Sequence, residues 1–389
     1  MLVIRTLIGF ALGTICLALP TKPVQNNRLE PDVYRNTTEL VRSKGYPNEE
    51  HNVITSDGYI LQVQRIPRGR KPGATGEKGP VLLQHGLLSC SACWVENLAN
   101  NSLGFIMADA GYDVWLGNSR GNTYGLKHKT LNANQTAFWD FSFDEMALLD
   151  LPATISYILN VTGRSKLSYI GHSQGTEIAF AALSRFDNLN DQIQSFVALG
   201  PAAYLGNMTS PVKLLDSLTT TEIYTVFGQK DFLPRSDKLP ALCVKPTFGE
   251  ICENSLFLLC GFDPGNLNKT RIPVYIGQHP AGTSVKNMVH YLQAVKESKF
   301  QMFDYGEAGN QLKYKQKSPP NYPLHRVRTK VTLYVGDNDW LTTIDDVNRL
   351  AKDLPFPPEY HILPRYNHLD YIWGMDAAKI LYPKIVNTF

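Results

Sequence analysis

The apolar and polar positions along roughly the first half of the chain form short segments that alternate between strand and helix patterns. Apolar residues alternate with polar ones from His51 to Arg65, on both sides of Ser56-Asp57-Gly58, and predict a β-hairpin. Compact apolar runs predict further strands at 81–84, 112–116, 166–170 and 193–199, and helical spacing predicts helices at 103–108, 143–160 and 176–183. Strands that alternate with helices in this way predict an α/β fold, with a mostly parallel sheet covered on both faces.

The pattern Gly-x-Ser-x-Gly occurs twice, at 117–121 and at 171–175. Each copy follows a strand pattern, but only the second leads into a run of good helix formers, at 176–183. A serine on a sharp strand-to-helix turn exposes its hydroxyl, and the helix N-terminus below it favours a developing oxyanion. We therefore predict Ser173 as a nucleophile and interpret Ser119 as a loop residue, because turn residues follow it.

The alternation stops between Ala202 and Tyr322. This segment is rich in aromatic residues and prolines but has few strand patterns, and strand-like order returns only at 331–335. Connections in compact α/β domains usually take about 2 to 6 residues, so the segment predicts an inserted subdomain, and its place in the chain indicates a cap over Ser173. The predicted organisation is a cap and lid at 202–322 between two parts of one core, 19–201 and 323–389.

A nucleophilic serine needs a histidine to accept its proton and a carboxylate to orient that histidine. In this architecture both follow the serine in the chain, and only His361 and His368 come after the strand at 331–335. His361 lies inside a strand pattern, whereas His368 lies in the loop after it, so we predict His368 as the base. Asp337 and Asp339 both directly follow the strand at 331–335, and the pattern does not separate them.

Two backbone N–H groups are expected to form an oxyanion hole. One is the amide of Gln174, directly after the serine, and the other is the amide of Leu87, in the turn after the strand at 81–84. The chain has no His-Glu-x-x-His motif, no Gly-x-x-x-x-Gly-Lys loop for phosphate and no dinucleotide fingerprint. No metal or cofactor is therefore required.

The N-terminal segment predicts entry into the secretory pathway. Residues 7–18 are largely apolar, follow Arg5 and end in a small-residue pattern before Pro20, which predicts a signal peptide at 1–18. A membrane anchor is the alternative, but the run is short for a span of about 20 residues. Six Asn-x-Ser/Thr sequons agree with secretion and are candidate glycosylation sites: Asn36, Asn100, Asn134, Asn160, Asn207 and Asn268. We expect a secreted or lysosomal glycoprotein.

Composition restricts the classes of partner. The 389 residues carry 38 Lys and Arg against 35 Asp and Glu, a net charge of +3 without a basic cluster, so no nucleic-acid partner is expected. No later apolar run has the length of a transmembrane segment, and a monomer is expected. Cys90 and Cys93 form a single Cys-x-x-Cys, which is weak as a zinc site and whose pairing stays open.

Six motifs together resemble those of the acid lipases, the group that contains the gastric and lysosomal acid lipases and their insect relatives. They occur in order over nearly the whole chain after residue 18: HGLL at 85–88, DVWLGNSRGN at 113–122, FWDFSFDEM at 138–146, GHSQG at 171–175, AGTS at 281–284 and YNHLD at 366–370. The resemblance implies an α/β-hydrolase fold with a cap. It implies the following site: nucleophile Ser173, acid Asp339, base His368, and oxyanion amides of Leu87 and Gln174.

The resemblance also implies a disulfide between Cys243 and Cys252, with Cys260 free. It implies a serine lipase that hydrolyses carboxylic esters of neutral lipids, triacylglycerols or cholesteryl esters, at a lipid–water interface through an acyl-enzyme. Two alternatives remain: a lipid-binding or transport protein on a hydrolase scaffold, and a serine peptidase of the same fold. An apolar inner face of the cap, including 256–259, would fit a lipid substrate.

Overall fold

A central β-sheet organises the chain. The computed structural model describes residues 30–240, 252, 254 and 257–389, and the predicted signal peptide lies outside them. The strands of the described residues are β1 Glu49–Ile54, β2 Tyr59–Ile66, β3 Pro80–Gln84, β4 Asp113–Leu116, β5 Lys127–His128, β6 Leu167–His172, β7 Ile193–Leu199, β8 Asp231–Phe232, β9 Thr283–Ser284, β10 Lys330–Gly336 and β11 Glu359–Leu363.

The main sheet has the order β1-β2-β4-β3-β6-β7-β10-β11, with β5 paired to β2. The six strands from β4 to β11 in this order are parallel, whereas β2 is antiparallel to both β1 and β4. The short strands β8 and β9 pair separately and antiparallel. The predicted α/β fold, the hairpin and the mostly parallel sheet are confirmed.

Helices cover the sheet and build the connections. The α-helices of the described residues are α1 Thr37–Ser43, α2 Leu103–Asp109, α3 Phe143–Glu145, α4 Leu151–Thr162, α5 Gln174–Arg185, α6 Asp187–Gln192, α7 Thr220–Phe227, α8 Ile272–Gln278, α9 Val285–Glu297, α10 Gly306–Tyr314, α11 Ile344–Asp353, α12 Asp370–Trp373, α13 Ala377–Ile380 and α14 Tyr382–Thr388. Short 3-10 helices lie at Pro31–Val33, Ser91–Trp94, Ala99–Asn101, Thr136–Trp139, Pro211–Ser217, Lys269–Arg271 and Leu324–Arg326.

Two hydrophobic cores lie on opposite faces of the sheet. Successive side chains of a strand point to opposite faces, so Leu82 and Trp115 join one core while Leu83 and Leu116 join the other. Strand β6 is buried along its whole length, as expected for a strand covered on both sides. The residue that follows β6 is therefore held between two packed layers.

The predicted helix at 143–160 is present, and its middle is modified by Pro152. A π-helical turn, Met146–Asp150, joins α3 to α4, and Pro152 lies in the first turn of α4. Proline has no N–H to donate to the preceding turn, and a widened turn at this point keeps the helix axis continuous. The helix ends at Gly163, whose φ of 65° suits the left-handed cap position.

The chain leaves the main sheet after β7 and returns at β10. The described residues between them include α7 to α10, a helical turn at 257–260, three of the 3-10 helices and the two-residue strands β8 and β9. Two small apolar clusters hold this region together, one joining Ile223 of α7 to Val285 and Val289 of α9, and one joining Met208 to Val295. The boundaries 202–322 of the predicted cap stay a prediction.

Candidate active site

Ser173 lies on a strained turn between β6 and α5. Its φ and ψ are 51° and −119°, an unfavourable backbone conformation for a residue with a side chain. A Cβ at Gly171 would lie 2.8 Å from the backbone carbon of Gly175, and a Cβ at Gly175 would lie 2.3 Å from the carbonyl oxygen of Gln84. Both glycines are needed because strand, turn and helix pack closer together than side chains allow.

His368 contacts both of its predicted partners. Its Nε2 lies 2.7 Å from the Oγ of Ser173, and its Nδ1 lies 2.8 Å from the Oδ2 of Asp339. The three residues follow the carboxyl ends of β6, β10 and β11, which come close in the parallel sheet. The structure thus brings Ser173, Asp339 and His368 into one hydrogen-bonded row.

Asp339, and not Asp337, faces His368. The Oδ2 of Asp339 also accepts hydrogen bonds from Thr342 Oγ1 at 2.7 Å and Tyr371 Oη at 3.2 Å. Burial alone would raise the pKa of Asp339, but the charge interaction and hydrogen bond with His368, together with those from Thr342, lower it below its usual value. Asp337 is exposed and accepts a hydrogen bond from the amide of Arg365 instead.

A second histidine, His172, supports the loop that carries His368. It is buried, and its Nε2 lies 2.9 Å from the backbone oxygen of His368, to which it can donate. Burial, and then repulsion by His368, lower the pKa of His172 to about 3. A neutral ring is therefore available as a hydrogen-bond donor at every physiological pH. Sequence reasoning missed this residue, although it lies inside the GHSQG motif.

Thr342 and Tyr371 were also missed. Tyr371 is fully buried, accepts a hydrogen bond from the amide of Gly336 at 2.6 Å and donates to Asp339. It thereby ties the end of β10 to α12, three residues after His368. Neither residue lies in a pattern that marks a role near Asp339, and only the tertiary contact shows it.

The loop after β3 passes close to Ser173. A Cβ at Gly86 would lie 2.9 Å from the Cβ of Ser173, which explains the glycine at this position. Leu88 has a φ of 57°, and its carbonyl accepts a hydrogen bond from the amide of Ala281 at 2.8 Å. Within the described residues, the amides of Leu87 and Gln174 donate no hydrogen bond. Their role as an oxyanion hole stays a prediction.

The segment that follows Phe257 is hydrogen-bonded to the loops that carry Asp339 and His368. The carbonyl of Cys260 accepts a hydrogen bond from the amide of His368 at 3.1 Å, and the carbonyl of Gly261 accepts one from Asn367. The carbonyl of Phe262 accepts one from Asn338 at 2.7 Å. The chain between β7 and β10 is thus bonded directly to the loops that hold His368 and Asp339.

The cysteines have different states. Cys90, Cys93 and Cys260 are free and buried, which answers the open question about the first two. Cys252 is in a disulfide bond, and Cys243 lies outside the described residues. Their predicted pairing stays a prediction.

The predicted sequons lie at the surface to different degrees. The side chains of four are exposed, Asn100, Asn134, Asn160 and Asn207, and those of Asn36 and Asn268 are half-buried. Asn36 accepts a hydrogen bond from the amide of Glu39 at the start of α1. Asn207 donates from its Nδ2 to Asp346 at 2.9 Å. Occupancy of these sites stays a prediction.

Comparisons with known proteins agree with the fold and the motifs. A family model described as "alpha/beta hydrolase fold" matches residues 79–375, and one described as "partial alpha/beta-hydrolase lipase region" matches residues 37–98. Lysosomal acid lipase/cholesteryl ester hydrolase from Homo sapiens is 47% identical over 386 residues, covering 96% of both chains. The chain belongs to the acid lipase family. Gastric triacylglycerol lipase from Homo sapiens is 45% identical over 363 residues, 92% of this chain and 91% of that chain.

More distant structures share only the fold of this acid lipase family member. A crystal structure from Sulfolobus solfataricus aligns with a TM-score of 0.57 at 14% identity, covering 87% of this chain and 98% of that chain. An esterase from Exiguobacterium antarcticum aligns with a TM-score of 0.51 at 12% identity, covering 87% and 99%. Among the described helices, none has both the length and the apolar character needed to cross a bilayer. The family and the fold predicted from the motifs are confirmed.

Proposed function

We propose that this acid lipase family member is a secreted or lysosomal serine lipase. It hydrolyses carboxylic ester bonds of neutral lipids with Ser173 as nucleophile, His368 as base and Asp339 as the acid that orients it. The observation that carries the proposal is the row of hydrogen bonds from Ser173 Oγ through His368 to Asp339, at 2.7 and 2.8 Å, on a strained strand-to-helix turn.

The first half of the reaction forms an acyl-enzyme. Ser173 Oγ attacks the ester carbonyl carbon while its proton passes to Nε2 of His368, and Asp339 stabilises the imidazolium through Nδ1–H. The carbonyl oxygen becomes an oxyanion that accepts hydrogen bonds from the unpaired amides of Leu87 and Gln174. The carbon–oxygen bond to the alcohol then breaks, and His368 gives its proton to the leaving alkoxide.

The second half returns the free enzyme. Water attacks the acyl carbon, His368 accepts one of its protons, and the same two amides stabilise the second oxyanion. Collapse of this intermediate breaks the bond to Ser173 Oγ, which takes its proton back from His368, and the carboxylic acid leaves. No metal or cofactor takes part in this scheme, because the side chains of the row and the two amides supply every proton transfer and charge.

The relatives and an exposed apolar segment support the proposed substrate class. The relatives named above act on triacylglycerols and cholesteryl esters, and both are neutral esters with long acyl chains. Leu258, Leu259 and Phe262 are 49%, 40% and 48% exposed, beside the segment bonded to the loops of Asp339 and His368. Exposed apolar side chains at this position favour contact with a lipid surface over a polar peptide substrate.

Reaction with a fluorophosphonate probe tests the nucleophile directly. We expect covalent labelling of the purified protein at Ser173 and none in the Ser173→Ala variant, with Ser119→Ala labelled as in the wild type. The two alternative functions give different results, because a lipid carrier on this scaffold would bind lipid without labelling. A peptidase would label but cleave peptides and ignore emulsified lipid.

A substrate panel tests the ester class. Triolein, cholesteryl oleate and a short soluble ester are assayed across roughly pH 4 to 8, a range that includes the usual histidine pKa of about 6.5. We expect hydrolysis of at least one long-chain ester. Hydrolysis of the soluble ester alone, with labelling intact, would limit the protein to a general esterase and contradict the lipase proposal.

A further inference from the structure

A cavity lies between the Thr136–Trp139 turn and the region of α7 and α9. Its volume is about 690 Å³. Its lining includes Thr136, Trp139, Asp140, Tyr224, Lys286 and Tyr305, and contains neither Ser173, Asp339 nor His368. The cavity is therefore separate from the site described above, and the proposed ester hydrolysis gives it no role.

The side chains of the cavity are aromatic and hydrogen-bonding, with little net charge. The Nζ of Lys286 donates to Asp140 at 2.7 Å and to Tyr305 Oη at 3.0 Å, and lies 4.9 Å from the centre of the Tyr305 ring. The positive charge of Lys286 is balanced by Asp140, and Asp304 adds a second carboxylate to the lining. Neither an anion nor a cation is strongly favoured, whereas a neutral molecule with many hydroxyl groups meets aromatic faces together with donors and acceptors.

Asn134 lies two residues before Thr136, the first residue of the cavity lining. It begins the sequon Asn134-Gln135-Thr136, whose threonine lines the cavity. The backbone carbonyl of Asn134 accepts a hydrogen bond from Nζ of Lys230 at 2.7 Å, and the carbonyl of Lys230 accepts one from the amide of Val285, the neighbour of Lys286. The exposed side chain of Asn134 makes no hydrogen bond to any other described residue.

We propose that the cavity is a carbohydrate site for the chain's own N-glycan. The first N-acetylglucosamine residues on Asn134 lie against the half-buried Tyr224 and Tyr305, with sugar C–H groups on the ring faces and hydroxyl or acetamido groups bonded to Lys286 and Asp140. The occupant is covalently linked beside the cavity, so binding costs far less translational freedom than a free sugar would lose. The bound glycan connects the Thr136–Trp139 turn to α7.

Native deglycosylation tests the proposal. The protein is expressed through a eukaryotic secretory pathway that leaves high-mannose glycans, and release by endoglycosidase H is followed separately on the Asn134 and Asn100 glycopeptides. The enzyme can cut only a glycan that has left the cavity, so the rate of cleavage follows the fraction of glycan outside the cavity. We therefore expect the glycan on Asn134 to be cleaved at least about tenfold more slowly than the one on the exposed Asn100. After denaturation the two rates should be equal.

A substitution in the cavity tests whether slow cleavage at Asn134 comes from contact between the glycan and the cavity or only from poor access of the enzyme to this site. Tyr224→Ala removes an aromatic face and should accelerate release at Asn134 while leaving the rate at Asn100 unchanged. Equal native rates at the two sites, an unglycosylated Asn134 beside a glycosylated Asn100, or no effect of Tyr224→Ala would each overturn the proposal.

Binding of a free sugar to the emptied cavity provides an independent test. In Asn134→Gln the cavity loses its occupant, and added N,N′-diacetylchitobiose should raise the thermal midpoint of this variant but not that of Asn100→Gln, whose glycan still fills it. An equal response of the two variants would contradict the inference. These measurements require passage through the secretory pathway and do not depend on ester hydrolysis, so the inference and the proposed lipase activity can fail separately.

Discussion

The two Gly-x-Ser-x-Gly copies have the same spacing but different environments. Ser119 is 3% exposed, and its Oγ accepts a hydrogen bond from Gln84 at 3.0 Å. The next residue, Arg120, is buried and forms ion pairs with the buried Asp150 and the partly exposed Asp57. Ser173 is instead partly accessible, has a positive φ and contacts His368. The same motif thus occurs in two different environments, one with a buried serine and one with a partly accessible serine that contacts a histidine.

The chain that leaves each motif explains the difference. After Gly175 the backbone enters α5, so Ser173 occupies a forced turn at the helix start. After Gly121 it continues as a turn closed by a hydrogen bond from the amide of Gly121 to the carbonyl of Gly125. A turn can fold its serine inward toward the sheet, whereas a strand-to-helix elbow pushes it outward. The comparison predicts which substitutions affect chemistry and which affect stability.

The largest difference expected between the two copies is the effect on kcat of removing each serine hydroxyl. We expect Ser173→Ala to reduce kcat for ester hydrolysis by about 10⁴-fold or more, because the covalent intermediate is lost. Ser119→Ala should reduce kcat by less than about tenfold and lower the free energy of unfolding by ~1 kcal/mol, the size of one hydrogen bond. Comparable losses of kcat in the two variants would contradict the assignment of roles.

The partner of His368 gives the next largest effect. Asp339→Asn should lower kcat by about 10⁴-fold, because the amide favours the wrong histidine tautomer. Asp337→Asn is the matched control two residues away on the exposed side of the same loop, and should change kcat by no more than about twofold. The pair is compared by steady-state kinetics on a soluble ester. A larger loss in Asp337→Asn would reverse the assignment of the acid.

Substitutions around the first copy of the motif should affect the free energy of unfolding more than catalysis. Arg120→Met leaves Asp150 buried without its partner, and we expect a loss of about 3–5 kcal/mol in the free energy of unfolding, measured by denaturant titration. Arg328→Met removes an ion pair of Asp187 at the surface and should leave the denaturation midpoint nearly unchanged. Folded Arg120→Met should retain labelling by the fluorophosphonate probe. Loss of labelling at full folding would place Arg120 in the reaction.

The helix that leaves the second copy gives a smaller, pH-dependent effect. Burial raises the pKa of Glu177, on α5, well above its usual value of 4.5. A raised carboxyl pKa means that Glu177 ionises first in the unfolded state, so the stability contributed by this group is complete below about pH 4.5 and falls as the pH rises above it. Glu177→Gln should remove this fall, by up to about 1.4 kcal/mol per pH unit. Denaturant titrations from acid to neutral pH measure it.

A surface glutamate provides the control for Glu177. Glu307 lies on α10 with its side chain 68% exposed, and Glu307→Gln should leave the pH dependence of stability as in the wild type. Parallel pH profiles of Glu177→Gln and the wild type would show that Glu177 ionises in the folded protein as easily as in the unfolded one.

Much of the fold was predictable because it depends on local patterns. The hairpin, the strands at β3, β4, β6, β7 and β10, and the helices after 103, 143 and 176 follow from residue periodicity and composition. The π-helical turn before Pro152 was not predictable from the sequence, because the same proline can bend a helix or be accommodated by it. The fold of the region between β7 and β10 was not predictable either, because its short elements are stabilised by contacts with distant residues.

The type of fold, the family, and the choice of Ser173 and His368 as candidates followed from the amino-acid sequence, because the exit of a motif and the order of residues along the chain are local or one-dimensional properties. The residue pattern left Asp337 and Asp339 open, and only the resemblance to the acid lipases favoured Asp339. The folded chain shows that Asp339 contacts His368. It also shows that Thr342 and Tyr371 donate hydrogen bonds to Asp339 and that His172 contacts the backbone oxygen of His368. The physical reason is that a hydrogen bond depends on positions within about 3 Å, and only the packed sheet brings the ends of β6, β10 and β11 that close.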